Sequence, residues 1–189
     1  MKINNQIFNF AKKIIGYPRS LSGNGVRKTL NNIREVVPQM KIKYFKSGEK
    51  VFDWRIPLEW NVNDAYIEKP NGEKICEYSK NKLHLVGYSI PTNIILSKKK
   101  LLKKLHTLPN HKNAIPYVTS YYKKDWGFCL KHKDKLKLKD GKYKISIDSK
   151  HKKGVLNYGE ILFKGKSKKE IFFSTYICHP EMANNETSG

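Results

Sequence analysis

From about Glu49 to Ser149 the chain breaks into short alternating runs separated by turn residues, and this constrains the fold more than any other feature. The runs are Val51 to Trp54, Asp64 to Ile67, Lys74 to Tyr78, Leu83 to Tyr88, Tyr117 to Tyr121, Gly127 to Leu130 and Tyr143 to Ile147. Pro-Asn-Gly-Glu at 70 to 73 and Lys-Asp-Gly-Lys at 139 to 142 punctuate them. Period-two runs with such turns predict short strands in a compact antiparallel module. Its one helical patch is Ser97 to Leu105, where Leu101, Leu102 and Leu105 share a face among lysines.

The flanks read differently. Ile7, Phe8, Ala11, Ile14 and Ile15, then Val26, Leu30, Ile33, Val36 and Val37, recur at spacings of three and four, which predicts two amphipathic helices between about Asn5 and Val37. Ser22 or Asn24 is the expected N-cap of the second, and Pro38 stops it. No strand precedes Gly23-Asn24-Gly25, so the triplet reads as a capping turn and not a phosphate loop. Lys41 to Phe45 alternates as a strand. Val155 to Phe163 and Ile171 to Ile177 read as a strand pair joined by a turn over Lys164 to Lys169. The arrangement these elements predict is an α/β domain interrupted by a β-rich inserted domain: 1–47, then the insert at 48–151, then 152–189 as the continuation.

Hydrophobic residues make up 39% and aromatics 12% of the 189 residues, too apolar for a disordered chain. Lys and Arg total 38 against 16 acidic residues, a formal net charge of +22 that raises the question of anionic partners. Arg, the residue suited to bidentate phosphate contacts, occurs only at 19, 27, 34 and 55. Lysine is spread over most of the length, the pattern of a solvated surface. Nucleic-acid binding is therefore expected to be weak and without sequence preference. The three cysteines, Cys76, Cys129 and Cys178, form no C-x-x-C pair, so neither a disulfide framework nor a zinc knuckle is indicated, and a reducing compartment fits. Nothing approaches the ~18 apolar residues of a membrane span, and residues 1 to 15 hold Lys2, Lys12 and Lys13 but no long apolar core or small-residue cleavage site. A soluble, cytoplasmic protein is expected.

The closing residues carry the sharpest chemical signal. The apolar, β-branched and aromatic run Ile171 to Ile177 leads through Cys178 to His179, and a polar loop ending in Ser188-Gly189 follows. A buried strand delivers a side chain to the sheet edge in this way, and sites in open α/β folds lie beyond the carboxyl ends of strands. His179 is thus the candidate ligand or catalytic residue. The alternative is a hydrogen-bonded strand-end histidine. No partner follows before Gly189, and the expectation is that the chain is a fragment of a longer protein.

Several runs together resemble one family. These are Arg19 to Arg27 (R-S-L-S-G-N-G-V-R), Val51 to Ile67, Leu83 to Ser89, Leu105 to Pro109, Ala114 to Tyr122, Trp126 to Cys129 and Ser174 to Gly189. In that order they closely resemble the aminopeptidase-like proteins once labelled polysaccharide-biosynthesis proteins, which are similar to the M28 zinc peptidases. Their α/β domain (DUF4910) is interrupted by a β-rich domain of unknown function (DUF2172), and a winged helix follows. The resemblance implies that this chain is the N-terminal portion of a protein about twice as long, with the missing C-terminal half as its partner. It also implies zinc as cofactor and a metal-dependent aminopeptidase-like hydrolase. In such enzymes a metal-bound water attacks a polarised carbonyl while a carboxylate takes its proton.

Residue by residue the resemblance is uneven. His179 occupies the position of a metal ligand. Asn184 stands where a carboxylate bridges two metals, and a neutral amide is a poor bridge. Glu181 stands where the peptidases place the Asp that orients the histidine, and Glu186 is the candidate acid. In the insert, Tyr117, Tyr121, Tyr122, Trp126 and Phe128, near His106 and His111, are candidates for a wall over the site. His106, Tyr121, Tyr122 and Trp126 would then contact a small peptide-like or glycan-linked metabolite. The competing reading makes these aromatics core, as Trp54 and Trp60 are expected to be. The departures at 181 and 184 keep a second function open, a non-catalytic ligand-binding or regulatory protein on a peptidase scaffold.

Overall fold

The computed structural model describes residues 2–182. It is a mixed α/β structure whose elements are α1 (Lys2–Ile14), α2 (Asn24–Val36), β1 (Lys41–Lys46), β2 (Lys50–Val51), β3 (Trp54–Arg55), β4 (Glu59–Glu68), β5 (Lys74–Ile75), β6 (Thr92–Ser97), α3 (Lys98–Leu102), β7 (Leu105–His106), β8 (Phe128–Cys129), α4 (His132–Leu136), β9 (Lys142–Lys152) and β10 (Val155–Glu160). The chain divides into two compact units. Unit 1 contains the residues up to Glu59 and those from Lys152 onward; unit 2 is Trp60–His151.

Unit 1 forms around α2. Its apolar stripe brings Val26 and Leu30 against Met40, with Ile33, Ile42 and Ile177 packed around them. β1 and β10 pair antiparallel, Lys41 opposite Glu160 and Lys46 opposite Val155, and the Phe45 and Tyr158 rings stack at 5.6 Å. The two chain segments of the unit are thereby joined by a ladder. A Cβ on Gly159 would lie 2.6 Å from Met40 Sδ, which shows how closely β10 passes over the core. The 48–59 stretch, expected in the insert, clusters with unit 1: Gly48 N–H donates to Ile56 O at 2.7 Å, and β2 and β3 close a hairpin there. The N-cap of α2 is Gly23, not Ser22 or Asn24, and it makes no side-chain cap bond. Its φ of 114° suits glycine, while the Asn24 side chain accepts from Arg27 instead.

Unit 2 is built on a four-stranded sheet in the order β5-β4-β9-β6. In β9, Tyr143, Ile145, Ile147 and Ser149 are buried while Lys142, Lys144, Asp148 and Lys150 face solvent, the alternation of a half-buried strand. β6, which the turn-and-run reading passed over, pairs with β9 from Thr92 opposite Ile147 to Ser97 opposite Lys142. The expected strand at Leu83 to Tyr88 is instead a 3-10 turn at Lys82–His84 followed by an irregular segment bonded on both sides. Val86 and Ile90 N–H donate to Gly127 O and Asp125 O on one side, and Gly87 N–H donates to Val118 O on the other. Tyr88, at φ 65°, breaks the ladder. Tyr117 to Tyr121 likewise forms only an isolated bridge, at Thr119.

The largest departure from expectation lies after β10. Residues 161–182 contain no helix or strand, and Ile171, Phe172 and Phe173 are 84%, 88% and 88% exposed. A strand is a pairing, and the described residues supply no ladder to this run.

Candidate functional site

His179 closes the extended run in unit 1, and its backbone is held from a distance in sequence. The Arg19 guanidinium, buried at the turn between α1 and α2, donates from Nε to His179 O at 3.0 Å and from another nitrogen to Ile14 O. Glu181 N–H donates to Ile15 O at 3.2 Å, Pro180 between them is buried, and the Tyr176 ring meets the imidazole edge-on at 5.4 Å. The end of α1 and the Arg19 turn therefore fix where the 179–181 corner sits. Arg19 was not singled out by sequence reasoning. The signal available was its rarity as one of the few arginines, placed in a turn between two helices.

A second charged arrangement lies nearby in chain terms. Arg27 of α2 grips Glu59 with two bonds of 2.8 Å, and the Glu59 side chain is only 3% exposed. The hydrogen bond to Glu59 raises the Arg27 pKa above its ordinary value despite desolvation. Lys152 stands 3.9 Å from the same carboxylate. This pair is structural in kind: both charges are consumed by each other.

Asn184 and Glu186 lie outside the described residues. Among the described residues no group of three or more His, Cys, Asp or Glu side chains is arranged to hold a metal ion. The described residues thus do not by themselves supply a zinc site.

In unit 2 the aromatic candidates separate. Tyr121 and Tyr117 bond hydroxyl to hydroxyl at 2.9 Å, and Tyr121 meets the buried Tyr88 edge-on at 5.0 Å. Tyr88 also stacks on Trp60 at 5.6 Å and meets His151 at 5.7 Å. Trp60, buried as expected of a core anchor, donates from Nε1 to Ser89 O at 3.0 Å, where Ser149 Oγ donates as well. Trp126 is half-buried, packs its edge on Phe128 and lies under the Lys104 ammonium, which is paired with Asp125. His106 belongs to this second neighbourhood, since a Cβ on Gly127 would come within 3.1 Å of its Nε2. Tyr122 is 84% exposed and joins neither group. Tyr121 is therefore part of an aromatic cluster centred on Tyr88, and Trp126 and His106 form another.

The cysteines offer no nucleophile in unit 2, because burial pushes the Cys76 and Cys129 thiols up to about 12. A cleft of about 330 Å³ beside Cys76 and His84 is lined by charges that are partly spent on one another, as in the Lys69–Glu73 pair at 2.9 Å. His84, His106 and His151 are all held below the ordinary value of 6.5, chiefly by desolvation. A histidine whose folded pKa lies below 6.5 takes up its proton more readily in the unfolded chain, so its contribution to stability is present above pH 6.5 and is lost as pH falls from there through the folded value. For His84, the most enclosed, the slope is at most about 1.4 kcal/mol per pH unit. The thermal midpoint of unit 2 should fall between pH 7.5 and 5.5, and His84→Gln should flatten that slope in calorimetry. An unchanged slope in the variant would refute the assignment.

With this geometry in view, residues 59–150 match the family described as "Domain of unknown function (DUF2172)". Over 184 residues the chain is 44% identical to a Clostridium acetobutylicum protein named "Putative polysaccharide biosynthesis protein with aminopeptidase-like domain". That match takes in 97% of this chain and 42% of the relative. A solved structure, described as a "putative peptidase" from Clostridium acetobutylicum, superposes with a TM-score of 0.93 at 42% identity, covering 99% of this chain and 44% of the other. The chain thus spans less than half the length of these relatives. No helix among the described residues is long and apolar enough to cross a membrane.

Proposed function

We propose that these residues are part of a hydrolase of the aminopeptidase type, acting on an amide in a small peptide-like or glycan-linked metabolite in a pathway of polysaccharide assembly. The reading is supported above all by the 44% identity to a relative whose name carries an aminopeptidase-like domain. In it the imidazole of His179 is a site group, and Arg19 is a positioning residue that fixes the 179–181 corner through main-chain bonds. The remaining catalytic groups come from outside the described residues. One observation favours a second reading, a ligand-binding protein on the same scaffold: a neutral asparagine, Asn184, stands where the resembling peptidases have a metal-bridging carboxylate.

Two experiments separate the readings. The 189-residue chain alone should not hydrolyse aminoacyl p-nitroanilides above background. Fused to the part of the Clostridium acetobutylicum relative that lies outside the match, it should turn them over. Binding of such amides by the fusion without any turnover would favour the binding protein.

A further inference from the structure

The four-stranded sheet of unit 2 ends on an uncovered strand. β6 is last in the order β5-β4-β9-β6, and its one ladder among the described residues is the antiparallel pairing with β9. Past the end of that ladder Lys98 N–H donates to Gly141 O at 3.1 Å, so these two residues, opposite one another in the same register, form a hydrogen-bonded pair. Such pairs alternate along an antiparallel ladder, which commits the main-chain groups of Thr92, Ile94 and Leu96 to β9. Asn93, Ile95 and Ser97 turn theirs outward. Ile94 reports the same gap from its side chain. It stands opposite the buried Ile145, on the core side of the sheet, yet is 39% exposed because no further strand flanks it.

The edge lacks the features that keep exposed strands single. Thr92–Ser97 holds no charged residue and no proline, and its register with β9 runs from end to end without a bulge. β6 lies well inside residues 59–150, the span of the family match, so its open edge belongs to the module itself. What surrounds the edge selects the partner. Lys144 stands opposite Ile95 and Lys142 opposite Ser97, both exposed, and Lys98, Lys99 and Lys100 follow the strand directly. Lys98 is paired with Asp140 at 3.4 Å, while the other four have no ion pair among the described residues. A second copy would bring this basic surface, on a chain of net charge +22, against itself, whereas an acidic strand is attracted to it.

We propose that the outer edge of β6 docks an extended acidic segment of a partner protein, which adds a fifth strand to the sheet. The main chain of that segment bonds to Asn93, Ile95 and Ser97. Its apolar side chains lie beside Ile94 and Leu96 on the core face, and its carboxylates lie beside Ile95, toward Lys142 and Lys144, on the solvent face. This docking is independent of hydrolysis and of His179.

The test is fluorescence anisotropy of the 189-residue chain with a labelled hexapeptide that alternates valine and glutamate. Saturable one-to-one binding is expected, with exchange of the Asn93 and Ile95 amides slowed at least about 10-fold at saturation. The same peptide methylated at the backbone amides of its pairing edge keeps its charge and side chains, and should bind at least about 10-fold more weakly because the strand bonds are lost. Ile95→Pro removes an outward N–H and spares the β9 ladder. It should weaken binding at least about 10-fold, with the thermal midpoint of unit 2 kept within about 3 °C. Lys144→Glu should weaken binding about fivefold at low salt, and Lys50→Glu, in unit 1, should leave it unchanged. Absence of binding by the unaltered chain would overturn the proposal, and equal affinity for the methylated peptide would do so by reducing the contact to charge attraction. Equal losses in Lys144→Glu and Lys50→Glu would count against it in the same way. Dimerisation of the chain that Ile95→Pro abolishes would make the occupant a second copy and overturn the proposal as well.

Discussion

Gly25→Ala should lower the thermal midpoint of unit 1 by more than about 10 °C and loosen the corner that carries His179. Gly25 lies in the first turn of α2, and a Cβ there would stand 2.1 Å from Pro18 O, 2.4 Å from Pro18 C and 2.9 Å from Arg19 N. These are backbone atoms and cannot swing aside. The turn they belong to is pinned as well, by Arg19 N–H to Tyr17 O at 2.8 Å and by the Arg19 side chain to Ile14 O and His179 O. Ordinary overpacking costs about 1–3 kcal/mol; a clash with fixed backbone should lie at or beyond the upper end, and about 3 kcal/mol corresponds to this shift in a domain of this size. Calorimetry with hydrogen exchange reads both effects. A midpoint within 2 °C of the unaltered chain, with protection at 179–181 retained, would show that the turn yields freely.

Arg27→Met should cost unit 1 about 2–3 kcal/mol. Removing one partner of a buried pair leaves the other charge uncompensated, typically a loss of about 3–5 kcal/mol. Two features reduce it here: the Arg27 side chain is 32% exposed, and Lys152 remains 3.9 Å from the Glu59 carboxylate. Arg27→Met/Glu59→Leu should recover most of the loss, because the penalty belongs to the stranded carboxylate and not to the missing bond. A double variant no more stable than Arg27→Met, by chemical denaturation, would mean that the guanidinium matters through packing of its stem instead.

Local chemistry was readable from the chain; long-range pairing was not. The three-and-four spacing placed α1 and α2, and strict alternation placed β9, because each signal is internal to its element. β6 was missed because Ile94-Ile95-Leu96 does not alternate, and it is a strand only through its ladder with β9. The reverse error occurred at Ile171–Ile177, whose composition reads as a buried strand while no described residue pairs with it. Similarly, His179 could be singled out by its position after an apolar run, but Arg19 could not, since its contact spans 160 residues. The aromatic candidates divided for the same reason: whether Tyr121, Tyr122 and Trp126 share a neighbourhood depends on Tyr88 at φ 65° and the irregular segment around it. The two-residue arrangement of Arg27 with Glu59 likewise appears only once α2 and the start of β4 are folded together.

The central claim is that His179 belongs to the site of a peptidase-like body. It is tested most directly by steady-state hydrolysis of aminoacyl p-nitroanilides by the fused full-length protein carrying His179→Ala. A fall in kcat/KM of at least about 1000-fold is expected, as when a group acting at the transition state is removed, with the thermal midpoint of unit 1 kept within about 2 °C. A variant that folds normally and retains activity within about twofold would exclude His179 from the site and return it to the role of a strand-end histidine.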